Sequence, residues 1–263
     1  MENNNTQEFK IPEQKIETSV VGSPSKVSEF LVPIAIIIAG ILVGASVYFS
    51  RSGSGGGDGQ SAQQPQQRPP QKTVQANKDD LLKNAMVLGN PDAPVIIAEF
   101  ADFQCPFCGR FTSEIKPKIV EKYVKTGKVL FLYHDFAFLG AESGYAGEAA
   151  RCANDQGKFW QYHDYLYTYL ADNYYSKGKN GENVGALEKA NLKKFAVTLG
   201  LNAGDFNQCL DSEKYKSAVE ASTELGRSFG ITGTPGFIIN GDVMMGALPF
   251  QEFERIIELK LSK

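Results

Sequence analysis

Two cysteines at positions 105 and 108 form a C-x-x-C pattern between a strand-like segment and a helix-like segment. The run 95–100 is almost wholly apolar, which predicts a buried strand, and apolar side chains recur at helical spacing from residue 111 onward. Cys105 therefore lies at a helix N-terminus, where unpaired backbone N–H groups and the positive end of the helix dipole favour a thiolate. Cys108 lies one turn further on, near enough to form a disulfide with Cys105. The pattern predicts a redox-active pair.

A C-x-x-C pattern can also supply half of a zinc site. Structural zinc needs four ligands, and the sequence contains no second C-x-x-C and no paired histidine motif. We therefore predict thiol-disulfide chemistry that needs no metal and no organic cofactor.

The charge balance of the chain argues against nucleic acid as a partner. Its 263 residues carry 27 Lys and Arg against 30 Asp and Glu, a net charge of −3, whereas phosphate binding needs a basic patch. The glycine-dense run 53–59 lacks a flanking strand and helix, so it does not predict a phosphate-binding loop.

The first 77 residues do not have the composition of a folded core. Residues 1–29 form a polar tail, and residues 30–49 contain no charge over a length that crosses a bilayer as a helix. We predict a transmembrane signal anchor there; the alternative is a signal peptide cleaved at a weak small-residue site, 43–45. Residues 50–77 are rich in Gly, Ser, Gln and Pro, which predicts a disordered linker.

The remaining segment, 78–263, has the element order of an α/β domain. A second buried strand over 128–136 follows the cysteine-bearing helix, and a strand-helix-strand unit predicts parallel strands with a right-handed crossover. Residues 142–211 have helical patterns throughout, and a further helix follows them. Two short strands flank Asn240-Gly241, a strong hairpin signal, before a final helix. A helical block of about 140–211 is thus predicted between a βαβ half and an α-ββ-α half.

Three local sequences and their order carry a resemblance to a known family. They are Phe-Gln-Cys-Pro-Phe-Cys at 103–108, Gly-Lys-Phe-Trp at 157–160 with His163-Asp164, and Gly-Thr-Pro-Gly-Phe at 233–237. From about Leu81 to the C-terminus the chain resembles the thioredoxin superfamily and, more closely, extracytoplasmic thiol-disulfide oxidoreductases of the DsbA type. The resemblance implies a thioredoxin fold with an inserted helical domain, here preceded by the predicted transmembrane helix.

Thr234 and Pro235 form the second part of the expected site. Proline is unfavourable in a strand because it has no N–H to donate to a neighbouring strand. One interpretation of Pro235 is an ordinary turn with a trans peptide bond. The resemblance implies instead that Pro235 is cis and lies against the cysteines, and that the backbone of Thr234 pairs with an extended substrate. Pro106 and Phe107, between the cysteines, are expected active-site neighbours, and Phe107 could form an apolar docking surface.

Glu99 is a carboxylate in an otherwise apolar strand. A buried carboxyl group should have a raised pKa and hold a proton near neutrality. The resemblance implies an acid beneath the inner cysteine, so we expect Glu99 to exchange a proton with Cys108. The alternative places Glu99 on a solvent-facing pleat of the strand.

His134 ends the second predicted strand, on the side where the active site is expected. In that position it could tune the Cys105 thiolate. A histidine that caps a strand or packs in the core is the other interpretation.

Cys152 and Cys209 both fall in the helical block. They could form a structural disulfide, which fits an oxidising compartment. Two buried free thiols are the alternative.

These observations together predict a membrane-anchored oxidoreductase with its catalytic domain on the extracytoplasmic side. It is expected to introduce disulfides into exported proteins and to be reoxidised by a membrane partner linked to quinone. The domain itself is expected to be monomeric. A disulfide isomerase or reductase of the same fold, or a peptide-binding module without catalysis, are the alternatives.

Overall fold

A five-stranded mixed sheet forms the centre of the computed structural model, which describes residues 73–262. The strands are β1 Met86–Leu88, β2 Val95–Ala101, β3 Val129–Asp135, β4 Gly236–Ile239 and β5 Asp242–Met245. Their spatial order is β1-β3-β2-β4-β5. The neighbours β2 and β3 are parallel, as predicted for the crossover, and the other three pairs are antiparallel.

Helices cover both faces of the sheet. In the described residues they are α1 Lys78–Leu82, α2 at 106–124, α3 Ala141–Asn154, α4 Phe159–Asn173, α5 Lys189–Thr198, α6 Ala203–Asp211, α7 Lys216–Ser228 and α8 Phe250–Leu261. The long helix α2 contains α-helical Pro106–Arg110 and Lys116–Ile119, and π-helical Phe111–Ile115 and Val120–Val124.

The two-residue period of the strands decides which side chains meet which helices. Ile97 and Phe131 point to the layer formed by α2 and α8, where they join Phe111 and Phe253 in one core cluster. The alternate positions point the other way, and Phe100 and Leu132 among them pack with α1 and the C-terminal part of α7. The sheet is therefore buried on both faces.

The helical insertion consists of α3 to α6 and spans 141–211, close to the predicted 140–211. A disulfide between Cys152 and Cys209 joins α3 to α6 across a Cα–Cα distance of 5.9 Å. The predicted pairing is confirmed, and the alternative of two free thiols is wrong. This bond fixes the first helix of the insertion to the last.

The hairpin at Asn240-Gly241 is also confirmed. Both residues have positive φ, 42° and 88°, as a two-residue turn matching the twist of its strands requires. The Asn240 side chain accepts from the Ile96 backbone N–H at 2.7 Å and so ties the turn to β2.

The predicted tail, the predicted span at 30–49 and most of the predicted linker lie outside the described residues. Within 73–262 no helix has the length and apolarity needed to cross a membrane. The linker boundary at 77 is corrected: Thr73 bridges to Asp242, and the Val74 N–H donates to the Gly241 carbonyl at 2.8 Å. These backbone bonds attach the start of the domain to β5.

Candidate active site

Cys105 is the N-cap residue of α2, directly after the loop that leaves β2. Its backbone is extended, and its carbonyl accepts the first helical hydrogen bond, from the Gly109 N–H at 3.1 Å. Pro106 occupies the first turn, where its missing N–H costs nothing and its fixed φ suits a helix start. The structure thus places the first cysteine at the helix N-terminus, as the sequence predicted.

The two cysteines hold their protons very differently. Both are reduced and buried. The pKa of Cys105 is lowered to about 6, and the largest cause is a hydrogen bond from the Cys108 thiol. Burial opposes this lowering, whereas hydrogen bonds with Thr234 and with two backbone N–H groups lower the pKa further. Burial raises the pKa of Cys108 well above its ordinary value. At neutral pH Cys105 is therefore a thiolate and Cys108 a thiol.

The Thr234-Pro235 peptide bond is cis, as the resemblance implied. The Thr234 carbonyl oxygen lies 3.4 Å from Cys105 Sγ, so this loop faces the first cysteine. Gly236 follows as the first residue of β4, where a Cβ atom would lie 2.7 Å from Ile231 Cγ2. Glycine is required there because a side chain would push the proline loop away from its packing.

Glu99 lies inside β2, between Tyr133 of β3 and Phe237 of β4. It is fully buried, so the solvent-facing alternative is wrong, and neither carboxylate oxygen has a hydrogen-bond partner among the described residues. Burial raises the pKa of Glu99 to about 8, although the Lys116 ammonium opposes the rise. Negative charge on Glu99 in turn raises the pKa of Cys108, so the two groups are coupled.

The expectation that His134 borders the active site is wrong. Strand parity puts His134 on the face opposite α2, where its ring stacks on Phe100 with centroids 4.6 Å apart. Its Nε2 lies 2.8 Å from the Leu81 carbonyl and its Nδ1 lies 3.3 Å from Ser222 Oγ. His134 is the packed histidine of the alternative interpretation.

A cavity of about 550 Å³ opens beside Cys105, between α2 and α4. Its lining includes Cys105, Thr112, Asp164, Tyr167 and Tyr175. Cys105, although largely buried, is therefore accessible from this cavity.

An apolar surface borders the other side of the motif. Phe107 is 54% exposed, and Met245 and Leu248 are also exposed. The Arg110 guanidinium lies 5.5 Å from the Phe107 ring centroid and donates to the Ala247 carbonyl at 3.0 Å. Arg110 thus holds the motif and the loop after β5 side by side.

Residues of the insertion form hydrogen bonds with the segment that precedes the C-x-x-C motif. Gln104 Nε2 donates to Ser143 Oγ at 2.7 Å, and Gln104 Oε1 accepts from the Asn183 N–H at 2.6 Å. Tyr175 Oη donates to the Gln104 carbonyl, and Tyr167 Oη donates to the Asp102 carbonyl at 3.2 Å. These contacts could not be predicted from the sequence because the partners lie 39 or more residues apart.

Lys116 is the charged residue of the site that sequence reasoning missed. Its exposed fraction is only 5%, and it follows Cys108 and Thr112 at steps of four along α2. That spacing puts all three on one helix face and could have identified it. Within 73–262, no three His, Cys, Asp or Glu side chains cluster in a way that could hold a metal ion.

Comparisons with known proteins agree with this geometry. A protein-family model described as Thioredoxin matches residues 82–259. Disulfide bond formation protein D of Bacillus subtilis (strain 168) is 32% identical over 182 residues, which cover 68% of this chain and 78% of that protein. The crystal structure of oxidised BdbD from Bacillus subtilis matches with a TM-score of 0.62 at 26% identity, over 74% of this chain and 100% of that one.

A further solved structure shows the same fold. Wolbachia pipientis α-DsbA1 has a TM-score of 0.60 at 24% identity and covers 69% of this chain and 92% of its own. The family model, the relative and the paired cysteines facing a cis-proline all indicate one chemistry. The chain belongs to the thioredoxin family and is a thiol-disulfide oxidoreductase of the DsbA type.

Proposed function

We propose that this enzyme introduces disulfide bonds into exported proteins, from a membrane anchor that leaves its catalytic domain on the extracytoplasmic side. The observation that carries the proposal is the lowered pKa of Cys105, about 6, beside a buried Cys108 whose pKa is raised. A stable thiolate is a good leaving group, and it favours the reduced form of the enzyme. An enzyme whose reduced form is stabilised acts as an oxidant.

The exchange proceeds in two displacements on the oxidised pair. A thiolate of a client, that is, an exported protein that is to receive a disulfide, attacks Cys105 Sγ and the Cys105–Cys108 bond breaks. Cys108 leaves with the electron pair and takes a proton from Glu99. A second client thiolate then attacks the client sulfur of the mixed disulfide, and Cys105 leaves as its stabilised thiolate. Two client thiols are oxidised to one disulfide, and the enzyme pair is reduced to two thiols.

Two features of the site support the proposal that the clients are still unfolded when they react. The backbone beside Thr234 and cis-Pro235 faces Cys105, and backbone pairing with an extended chain does not select for particular side chains. The exposed side chains of Phe107, Met245 and Leu248 offer apolar contact to segments that a folded client would bury.

The proposed location rests on three observations. The relative from Bacillus subtilis is named for disulfide bond formation. The insertion contains the Cys152–Cys209 disulfide, and such bonds persist in oxidising compartments. The uncharged run 30–49 has the length of a membrane span. A quinone-linked membrane protein would then reoxidise the Cys105–Cys108 pair.

The reduction potential of the pair and the oxidation of a reduced, unfolded substrate test this function. We expect a potential more oxidising than the value of about −270 mV typical of thioredoxin. Cys105→Ser should abolish turnover, and Cys108→Ala should accumulate mixed disulfides with clients. The double variant Cys152→Ala, Cys209→Ala serves as a control and should keep the exchange chemistry.

Two outcomes would contradict the proposal. A potential near that of thioredoxin, with faster reshuffling of scrambled substrates than oxidation of reduced ones, would indicate a reductase or isomerase. For the location, intact cells that make the full chain are first treated with a membrane-impermeant reductant, which opens the Cys105–Cys108 disulfide, and a membrane-impermeant thiol reagent should then label Cys105. Labelling only after lysis would refute the extracytoplasmic orientation.

A further inference from the structure

A buried polar cluster beneath Cys108 draws on three elements of the fold. Glu99 comes from β2, Lys116 from α2, and His163 with Asp164 from α4 of the insertion. Lys116 Nζ forms an ion pair with Asp164 Oδ1 and lies 3.4 Å from His163 Nδ1. It also lies 5.0 Å from the ring centroid of Trp160. The insertion therefore fixes the position of an ammonium group inside the thioredoxin half.

The two ends of this ion pair have different surroundings. The Lys116 side chain is 6% exposed, whereas that of Asp164 is 54% exposed and borders the cavity beside Cys105. Water screens the exposed carboxylate well, but it screens the buried ammonium much less. The positive charge of Lys116 is therefore only partly cancelled toward the interior of the protein.

Glu99 is the group on which that residual charge acts. Both of its oxygens lack a hydrogen-bond partner in the described residues, so its charged form depends on longer-range electrostatics. Lys116 lowers the pKa of Glu99 against the dominant effect of burial, and Asp164 raises it. The other titratable groups around Glu99 are Cys105 and Cys108 of the motif, Tyr133 of β3 and Tyr167 of α4.

We propose that Lys116 is a positioning residue for the exchange reaction: Asp164 and His163 of the insertion hold its ammonium where it controls the proton that Glu99 exchanges with Cys108. The inference rests on the proposed exchange chemistry and adds a role for the insertion in it. When Cys108 leaves, a proton passes from the Glu99 carboxyl to Cys108 Sγ. The carboxylate that remains is stabilised by Lys116. During reoxidation Cys105 first forms a mixed disulfide with the oxidising partner. Cys108 Sγ then attacks Cys105 Sγ, the partner leaves as a thiolate, and the same Glu99 carboxylate takes the proton back from Cys108.

Infrared difference spectroscopy of the reduced full-length protein can follow the protonation of Glu99 directly. The carbonyl band of the protonated acid is assigned by its loss in Glu99→Gln. We expect its midpoint near pH 8 in the wild type. In Lys116→Met it should rise by about one pH unit, the smallest effect expected from losing a close opposite charge. Lys116→Arg should restore the wild-type midpoint.

Substitution of the partner should act in the opposite direction. In Asp164→Asn the ammonium remains and its screening carboxylate is lost, so the Glu99 midpoint should fall. A merely structural role for the pair would not produce opposite shifts. Lys122→Met is the matched control, because it removes an exposed lysine of α2 that pairs with Glu254 instead, and it should leave the midpoint unchanged.

The kinetic counterpart is the pH dependence of the rate at which Cys108 attacks the mixed disulfide of Cys105, measured when the reduced enzyme reacts with oxidised glutathione. The fluorescence of Trp160, the single tryptophan of the chain, can report it. The profile should move with the Glu99 midpoint in each variant.

An unchanged Glu99 midpoint in Lys116→Met, or shifts of the same sign in both variants, would overturn the inference. If Lys116→Met does not fold, Asp164→Asn decides alone, since its side chain is half exposed. Failure of wild-type protein to oxidise clients would refute the proposed function, whereas the Glu99 titration tests Lys116 whatever that assay shows.

Discussion

Cys105 and Cys108 lie one helical turn apart, yet their proton affinities differ because their surroundings do. Cys105 is at the N-cap, accepts a hydrogen bond from the Cys108 thiol and borders a cavity. Cys108 is fully buried and lies near Glu99, whose charge raises its pKa further. The outer sulfur is thus suited to attack and departure, and the inner sulfur needs a proton donor when it leaves.

The buried carboxyl of Glu99 should make the stability of the fold depend on pH. Its pKa is raised from 4.5 to about 8 in the folded state, so its stabilising contribution is complete below pH 4.5 and is lost as pH rises through 8. Relative to Glu99→Gln, the free energy of unfolding of the wild type should fall by up to about 1.4 kcal/mol per pH unit across that window. Denaturant titrations of both proteins at a series of pH values measure the difference.

Glu121→Gln provides the control for this effect. Glu121 is exposed on α2 and pairs with Lys125, so the same substitution there should leave the pH dependence unchanged. Parallel stability curves for the wild type and Glu99→Gln would show that Glu99 does not carry a raised pKa.

Residue types predicted the reactive centre better than they predicted its surroundings. The redox pair follows from the C-x-x-C motif and its context, and the cis state of Pro235 follows from the family resemblance. The placement of His134 does not, because one step along β3 moves a side chain to the opposite face of the sheet. Lys116 was missed because lysine on a helix ordinarily faces solvent, and its partner Asp164 lies on an element distant in sequence.

Helix α7 packs against the sheet through a glycine. A Cβ atom at Gly226 would lie 2.7 Å from Phe136 Cδ2 and 2.8 Å from Phe100 Cδ1, and both rings are buried. Gly226→Ala should therefore destabilise the fold. An overpacking cost of ~1–3 kcal/mol exceeds the helix-propensity gain of about 1 kcal/mol.

Gly144 of α3 is the matched position for this test. A Cβ atom there would meet nothing within 4 Å, so Gly144→Ala should stabilise the protein by about 0.5–1 kcal/mol. Thermal unfolding of both variants measures the contrast. A stabilising Gly226→Ala would mean that the rings of Phe100 and Phe136 move aside at little cost.

The existence and order of α2 to α8 and of β2 to β5 could be predicted from hydrophobic periodicity and the turn signal at Asn240-Gly241. The short elements α1 and β1 were not predicted, and neither was the internal geometry of α2. Its apolar spacing predicted a regular helix, whereas π-helical turns occur at Phe111–Ile115 and Val120–Val124. Pro117 lies between them and cannot donate an N–H to the preceding turn, and wider turns next to it accommodate the lost bond.

The redox state of the pair should change the stability of the whole molecule. In the reduced protein the pKa of Cys105 is about 6 against an ordinary 9.0. The stabilising contribution of this group is therefore complete above pH 9 and is lost as pH falls through 6. The free energy of unfolding of the reduced form, relative to the oxidised form, should rise by up to about 1.4 kcal/mol per pH unit between these values.

Chemical denaturation of both redox forms between pH 5 and pH 9 checks this expectation. Cys108 does not interfere in this window, because its pKa lies well above 9.0 in the folded protein. A stability difference that stays constant with pH would show that the Cys105 thiolate is not stabilised by the fold.

The backbone bonds of Thr73 and Val74 to the β4–β5 hairpin have a mechanical consequence. Traction exerted from the N-terminal side would load these bonds, and through them the hairpin, before it reached the helices. The first strand of the hairpin, β4, begins one residue after Pro235. Tension applied to the chain ahead of residue 73 would therefore act close to the cis-proline loop that faces Cys105.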